Sequence, residues 1–462
     1  MTRSIKARLL GFAVWCGAAA IPAASLQAET LSDALSAGYE NSGLLEQNRA
    51  LLRAADEDVA QAVAALRPVL SWSASASTSW PRENLDRTGQ DYLQTSLGLT
   101  AQLTIYDGGL NQLAVEAQKE TVLATRESLR GVESDVLLRI VQAYLEVQRA
   151  SSSVDLRQNN IRLIGQELQA AQDRFEVGEV TRTDVSLAEA QLAAARGLLA
   201  SEQGGLTQAI EEFRAAVGRA PDNLAAVPLA PIPDSLEQAQ QIARRNAPDL
   251  LQAQRQVTIA ELNIRRAAAA RRPNVALQGT LGLDPNNDFE DSEQLSLSVQ
   301  SPIYQGGALS SAVRQIQNQR DAARNALIYT ARQIDQSVAN AYSLLAVARA
   351  TRTASAAQVR ASNVAFDGVR EEATLGARTT LDVLDAEQDL LDARTSLVSA
   401  EVDETLATYS ILAAIGLLTA EHLELPVQIY DPSAYYNLVS DAPAGMSPQG
   451  QALDRVLQSI GH

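Results

Sequence analysis

Residues 69–80 read Val-Leu-Ser-Trp-Ser-Ala-Ser-Ala-Ser-Thr-Ser-Trp, and this alternation decides how the chain folds. Side chains of a strand change face at every residue. Ser71, Ser73, Ser75, Ser77 and Ser79 therefore share one face, and Trp72, Ala74, Ala76, Thr78 and Trp80 share the other. The apolar face carries a tryptophan near each end. At about 3.3 Å per residue and a tilt of about 40°, their separation spans roughly 20 Å, close to the apolar band of an outer-membrane barrel. Taken alone, the segment fits a half-buried hairpin strand equally well.

Three further segments repeat the pattern. In 93–105, Leu93, Leu97, Leu99, Leu103 and Ile105 oppose Gln94, Ser96, Thr100, Gln102 and Thr104. In 274–284, Val275, Leu277, Leu281 and Leu283 oppose Asn274, Gln278, Thr280 and Asp284. In 294–304, Leu295, Leu297, Val299 and Ile303 oppose Ser296, Ser298 and Gln300. Polar, charged turns at 81–89 and 285–293 join them into two hairpins. Four strands cannot enclose a lumen, and lipid does not tolerate open sheet edges. If these strands span a membrane, several copies of the chain must share one barrel.

The N-terminus has the pattern of an export signal. Arg3, Lys6 and Arg8 precede a short apolar run, Leu9–Ala20, and small residues lead to an expected cut after Ala28. Trp15 before Cys16 does not suit lipid attachment, so Cys16 belongs to the removed segment and the mature chain has no cysteine. Removing three positive charges from a formal −17 leaves about −20, the wrong sign for a nucleic-acid partner. Beyond the signal, no run reaches the 18 or so apolar residues of a membrane helix.

The chain also repeats itself. Tyr106-Asp-Gly-Gly109 returns as Tyr304-Gln-Gly-Gly307, Tyr144 as Tyr342, Gly178 as Gly376 and Gly218 as Gly416, each 198 residues on. Upstream, Asn41 pairs with Asn246 and Arg67-Pro68 with Arg272-Pro273 at an offset of 205. The seven-residue difference lies inside the first hairpin, where a surface loop tolerates it. Each repeat reads helix, hairpin, long helix, turn, helix. The boundaries expected are a signal at 1–28, repeat one at 29–218 with its hairpin at 69–106, and an equatorial linker at 219–235. Repeat two follows at 236–416 with its hairpin at 274–304, then a tail at 417–462. The first helices are expected over 31–66 and 236–271, each ending before a proline. The tail shows no clear period beyond a short helix near 453–460.

After each Gly-Gly a helical run of nearly 70 residues extends to Gly178 or Gly376, about 100 Å at 1.5 Å per residue. Val136, Ile140, Ala143, Val147, Ala150 and Val154 follow heptad spacing, matched by Ile334, Val338, Ala341, Leu345 and Ala348. The shorter helices on either side sum to the same length. They are expected to stack end to end beside the long one, with the linkers at mid-height.

This organisation resembles the TolC family of outer-membrane channel-tunnels over nearly all of 29–425. Pro302-Ile-Tyr-Gln-Gly-Gly307 and Leu375-Gly-Ala-Arg-Thr-Thr-Leu-Asp-Val-Leu-Asp-Ala386 carry the resemblance. It implies an α+β membrane protein: a homotrimer whose 12-stranded barrel, four strands per chain, continues into a helical coiled-coil tunnel in the periplasm. It further implies docking to a periplasmic adaptor (a membrane fusion protein) and an inner-membrane transporter, with the tip turns at Gly178 and Gly376 as the docking end. No cofactor is called for. Thr379-x-x-Asp382 and Thr181-x-x-Asp184 read as helix-start boxes. By resemblance, Asp382 and Asp385 form a selectivity ring, since a ring of carboxylates favours cations. Arg378 is then the gate arginine, reaching the first tip at Thr183 and Asp184. Where the family has a gate tyrosine this sequence has Ala373, with Phe175 at the matching place in repeat one.

An enzyme is disfavoured, because the mature chain has only His422 and His462 and shows no metal-ligand cluster, phosphate loop or nucleophile elbow. A structural coiled-coil spacer or adhesin is the alternative. It would not need two amphipathic hairpins with polar inward faces.

Overall fold

The computed structural model describes residues 28–79, 92–284, 290–445 and 447–460. Trp80, most of both hairpin turns, the expected signal through residue 27 with Cys16, and His462 lie outside the described residues.

Four antiparallel strands form one sheet in chain order: β1 (Val69–Ser79), β2 (Tyr92–Tyr106), β3 (Asn274–Asp284) and β4 (Glu290–Gln300). The register puts like with like over most of the sheet, although Leu281 and Leu283 face Glu293 and Asp291 of β4. Trp72 faces Leu99, which faces Leu281, and Leu103 faces Leu277, which faces Leu297. On the opposite side Ser71, Thr100, Thr280 and Gln294 form one row, and Gln102, Gln278 and Ser296 another. Among the described residues, nothing packs on the apolar face: Trp72 is 78% exposed and Leu295 77%. β1 and β4 are both edges. β4 corrects the expected 294–304. It starts four residues earlier and stops at Gln300, because Pro302 has no N–H to give a ladder. Ile303 lies beyond the sheet and is almost fully exposed.

The strands feed two helices of 67 residues each, α3 (Leu110–Glu176) and α7 (Ala308–Thr374). Asp107 starts the first by accepting from the backbone N–H groups of Gly109 and Asn111, both at 2.8 Å. Gln305 replaces it in repeat two. Every residue of the two heptad seams quoted above is buried. The returning helices α4 (Arg182–Val217) and α8 (Thr380–Ala414) pack along the tip halves of α3 and α7.

The other halves are covered by helices that the sequence reading took as single. The structure breaks 31–66 into α1 (Leu31–Asn41) and α2 (Gly43–Ala64), and 236–271 into α5 (Leu236–Asn246) and α6 (Pro248–Ala269). Ser42 caps α2 through its hydroxyl, and Pro248 opens α6, where a missing N–H costs nothing. At these breaks the repeat-paired asparagines meet the ends of the returning helices. Asn41 Nδ2 donates to Val217 O at 3.3 Å. Gly218 and Gly416 have φ of +91° and +72°, and a Cβ there would run into Asn41 and Asn246 respectively.

The linker crosses at this level. Tyr144, fully buried, sets its hydroxyl between Glu29 O (2.7 Å) and Ala225 O (2.8 Å). Its repeat counterpart Tyr342 donates to Pro233 O at 2.7 Å. Equivalent tyrosines thus pin opposite ends of one linker. The tail also departs from expectation, with α9 (Pro432–Val439) as well as α10 (Pro448–Ile460). It straps α2: Tyr435 donates to Glu57 Oε1 at 2.6 Å, and Arg67 donates to the carbonyls of Asp441 and Ala442.

Candidate functional site: the helical tips

Both tips use one construction. Gly178 and Gly376 close the long helices at φ of +79° and +77°, a region that a side chain would strain. Next comes a threonine cap. Thr181 and Asp184 exchange side-chain and backbone bonds in repeat one, and Thr379 and Asp382 do the same in repeat two. The expected helix-start boxes therefore exist. Bonds from the Thr379 backbone N–H and hydroxyl, each 2.9 Å, fall on Asp382 Oδ2 and hold its pKa below the usual carboxylate value. The Thr181 hydroxyl and then its N–H lower Asp184 in the same way.

Asp385 stands one turn further along α8 and is exposed. Arg378 is also exposed, and its Nε donates to Glu372 Oε2 at 2.9 Å. Within the chain it thus pairs across its own turn rather than with Thr183 or Asp184. The cause is local: Glu372 O already receives the Ala377 N–H at 2.9 Å, so the turn itself brings this side chain beside Arg378. Thr183 is exposed, and the Asp184 carboxylate is taken up by its own cap. Ala373 is buried among Phe366, Val383 and Leu390, while Phe175 is 44% exposed.

Two features of α8 escaped the sequence reading. Asp389 and Asp392 are exposed, one heptad beyond Asp382 and Asp385, so the acidic face continues up the helix. The seven-residue spacing was the available signal. The second is Glu387, buried on the opposite side of α8 against Asn160 of α3. A lone carboxylate in a helix has no spacing to betray it.

An open sheet with one apolar exposed face, carried on helices about 100 Å long with carboxylates at their far turns, defines a membrane-inserted duct with a helical extension. Among the described residues no helix is long and apolar enough to cross a membrane. Comparisons with known proteins make the class specific. The model of the family described as outer membrane efflux protein matches residues 34–219 and 239–417, the two repeats in turn. The outer membrane efflux protein BepC of Brucella suis is 34% identical over 431 residues, covering 92% of this chain and 93% of BepC. The outer membrane protein TolC of Escherichia coli is 25% identical, with 79% and 78% covered. A crystal structure of CusC, described in terms of transmembrane channel formation, superposes with a TM-score of 0.75 at 20% identity, covering 83% and 91%. The chain belongs to the outer membrane efflux protein family. It is a non-enzymatic export channel of the outer membrane, with its helices extending on the periplasmic side. The spacer and adhesin reading falls with that.

Proposed function

We propose that three copies of the chain assemble the exit duct of a tripartite machine for multidrug efflux or type I protein secretion. The twelve strands close one barrel, the helices form one tunnel, and the tips gate it. The observation that carries this reading is the four-stranded sheet with two free edges and an exposed apolar face. Such a sheet is stable in lipid only when copies pair edge to edge. The organisation into a signal at 1–28, two repeats, a linker at 219–235 and a tail belongs to the same proposal. The tip turns at Gly178 and Gly376 dock a periplasmic adaptor, which couples the duct to an inner-membrane transporter.

At the tip, Asp382 and Asp385 give six carboxylates in a trimer, and the acidic face through Asp389 and Asp392 extends that field upward. Carboxylate rings draw cations and repel anions. Arg378 closes the gate by leaving Glu372 for Thr183 and Asp184 of the first tip, through charge-assisted bonds to a carboxylate and a hydroxyl. The experiment is the reversal potential in a salt gradient. Replacing both Asp382 and Asp385 with alanine should lower cation preference and weaken block by multivalent cations. An unchanged reversal potential would place the selectivity elsewhere and leave Asp382 as a helix cap alone.

A further inference from the structure

The two helical hairpins touch near their tips through a buried polar contact that no helix cap or surface ion pair explains. Asn160 on α3 is 5% exposed and Glu387 on α8 is 3% exposed. Asn160 Nδ2 donates to Glu387 Oε1 at 2.9 Å, while Glu387 Oε2 is buried without a hydrogen-bond partner. Apolar contacts flank the pair, with Ile164 of α3, Ala188 and Ala195 of α4 and Leu384 of α8 forming one buried cluster. An ionised carboxylate with an unbonded oxygen is costly in such surroundings, whereas the acid form leaves no charge there.

The charged groups bearing on Glu387 are Glu167 of α3 and Arg370 of α7, and they lie 3.8 Å from each other. α4 presents Ala188, Leu192 and Ala195 to this region. Burial is the dominant influence, outweighing the Asn160 bond, and it pushes the Glu387 carboxyl up to about 7.

We propose that Asn160 and Glu387 form a proton-set latch between the two hairpins, engaged when Glu387 is neutral and released when it is ionised. The inference rests on the tip being the gate and adds a second, buried element to the exposed Arg378. Its sign follows from linkage. Packed against α3, the carboxyl holds its proton up to about pH 7, and freed into water it returns to the ordinary glutamate value. The closed packing therefore takes up a proton. It is favoured as pH falls through about 7, gains nothing more below the ordinary value, and is penalised in full above 7. Export through such a gate is promoted by alkaline conditions and restrained by acid.

The test is the open probability of purified channels in planar bilayers between pH 5 and 8.5. Wild type should rise severalfold between pH 5 and 7 and level off above about 7. Glu387→Gln, a permanent mimic of the neutral acid, should stay at the acid level throughout. Asn160→Ala removes a bond that favours the ionised form, so the pH at which its profile levels off should move upward. A merely structural contact would weaken the protein without moving that plateau. A wild-type profile flat between pH 5 and 7 would overturn the latch, as would an unmoved plateau in Asn160→Ala or a Glu387→Gln channel that still titrates like wild type. The gate reading is tested apart from this by Arg378→Ser. If that variant opens the channel while Glu387→Gln leaves the profile unchanged, the latch alone fails. If Arg378→Ser and Glu387→Gln both leave gating untouched, the tip is not the gate and the latch falls with it.

Discussion

Arg378 and Asp56 show how differently charge is handled at two places in the chain. Arg378 is exposed and paired with Glu372, an arrangement that solvent screening leaves weak. In the proposed gate, its leverage comes from threefold repetition of the tip. Arg378→Ser should raise single-channel conductance and sensitise cells to large antibiotics without loss of assembly. Wild-type conductance in an inserted, folded variant would mean that apolar packing holds the tip instead. Asp56 is fully buried on α2 and neither oxygen has a hydrogen-bond partner, so burial pushes its carboxyl up to about 6 even with Arg126 nearby. The penalty is absent below the ordinary aspartate value and complete above about 6. Asp56→Asn should thus stabilise the protein at pH 8 by about 1–2 kcal/mol and by nothing at pH 4, read from thermal unfolding at the two pH values. Asp382 was legible from its spacing to Thr379, because a cap is a local device. Asp56, Asn160 and Glu387 were not, because what singles them out is the helix packed over them. Tyr144 and Tyr342 were visible as a repeated pair, but their shared duty of holding the linker depends on residues about 80 and 110 positions away.

Elements were read best where one period persists. The heptad seams of α3 and α7 and the alternation in β1, β2 and β3 survive almost residue for residue, since each is dictated by the neighbour packed along its whole length. Errors fell at interruptions. Apolar periodicity runs on through Ser42 and through Ala247, and a break of one residue leaves it intact. The local signals there are Gly43 and Pro248, small in weight beside the periodic positions on either side. The expected β4 is displaced because Ile303 extends its alternation past Pro302, while Glu290, Asp291 and Glu293 disguise its true start as a turn. α9 is eight residues long, and its attachment to α2 is specified from far away. Its strap should matter for stability rather than assembly. Truncation after Asp431 removes Tyr435 from Glu57 and uncovers Ala60, so the midpoint of thermal unfolding should fall by several degrees while the channel still forms. An unchanged midpoint would make the tail a passive appendage.

At the scale of the whole molecule, the two repeats are unequal versions of one plan. Helix lengths match, 67 residues against 67 and 36 against 35, yet the acidic stripe of α8 has Leu187, Gln191 and Ala194 at the corresponding places of α4. Duplication thus supplied the architecture, and divergence put the charged face on one hairpin. What one chain cannot satisfy is its sheet: β1 and β4 each present a free edge, and Trp72, Leu295, Leu297 and Val299 stand exposed on one side. The proposed trimer resolves both demands at once by pairing β1 of each copy with β4 of the next. The most direct test is a three-dimensional reconstruction, by electron cryomicroscopy, of the protein extracted in detergent. The account predicts a threefold particle whose wall holds twelve strands, with continuous density from β1 of one copy to β4 of its neighbour. A monomer, or a trimer in which those two edges stay unpaired, would contradict it.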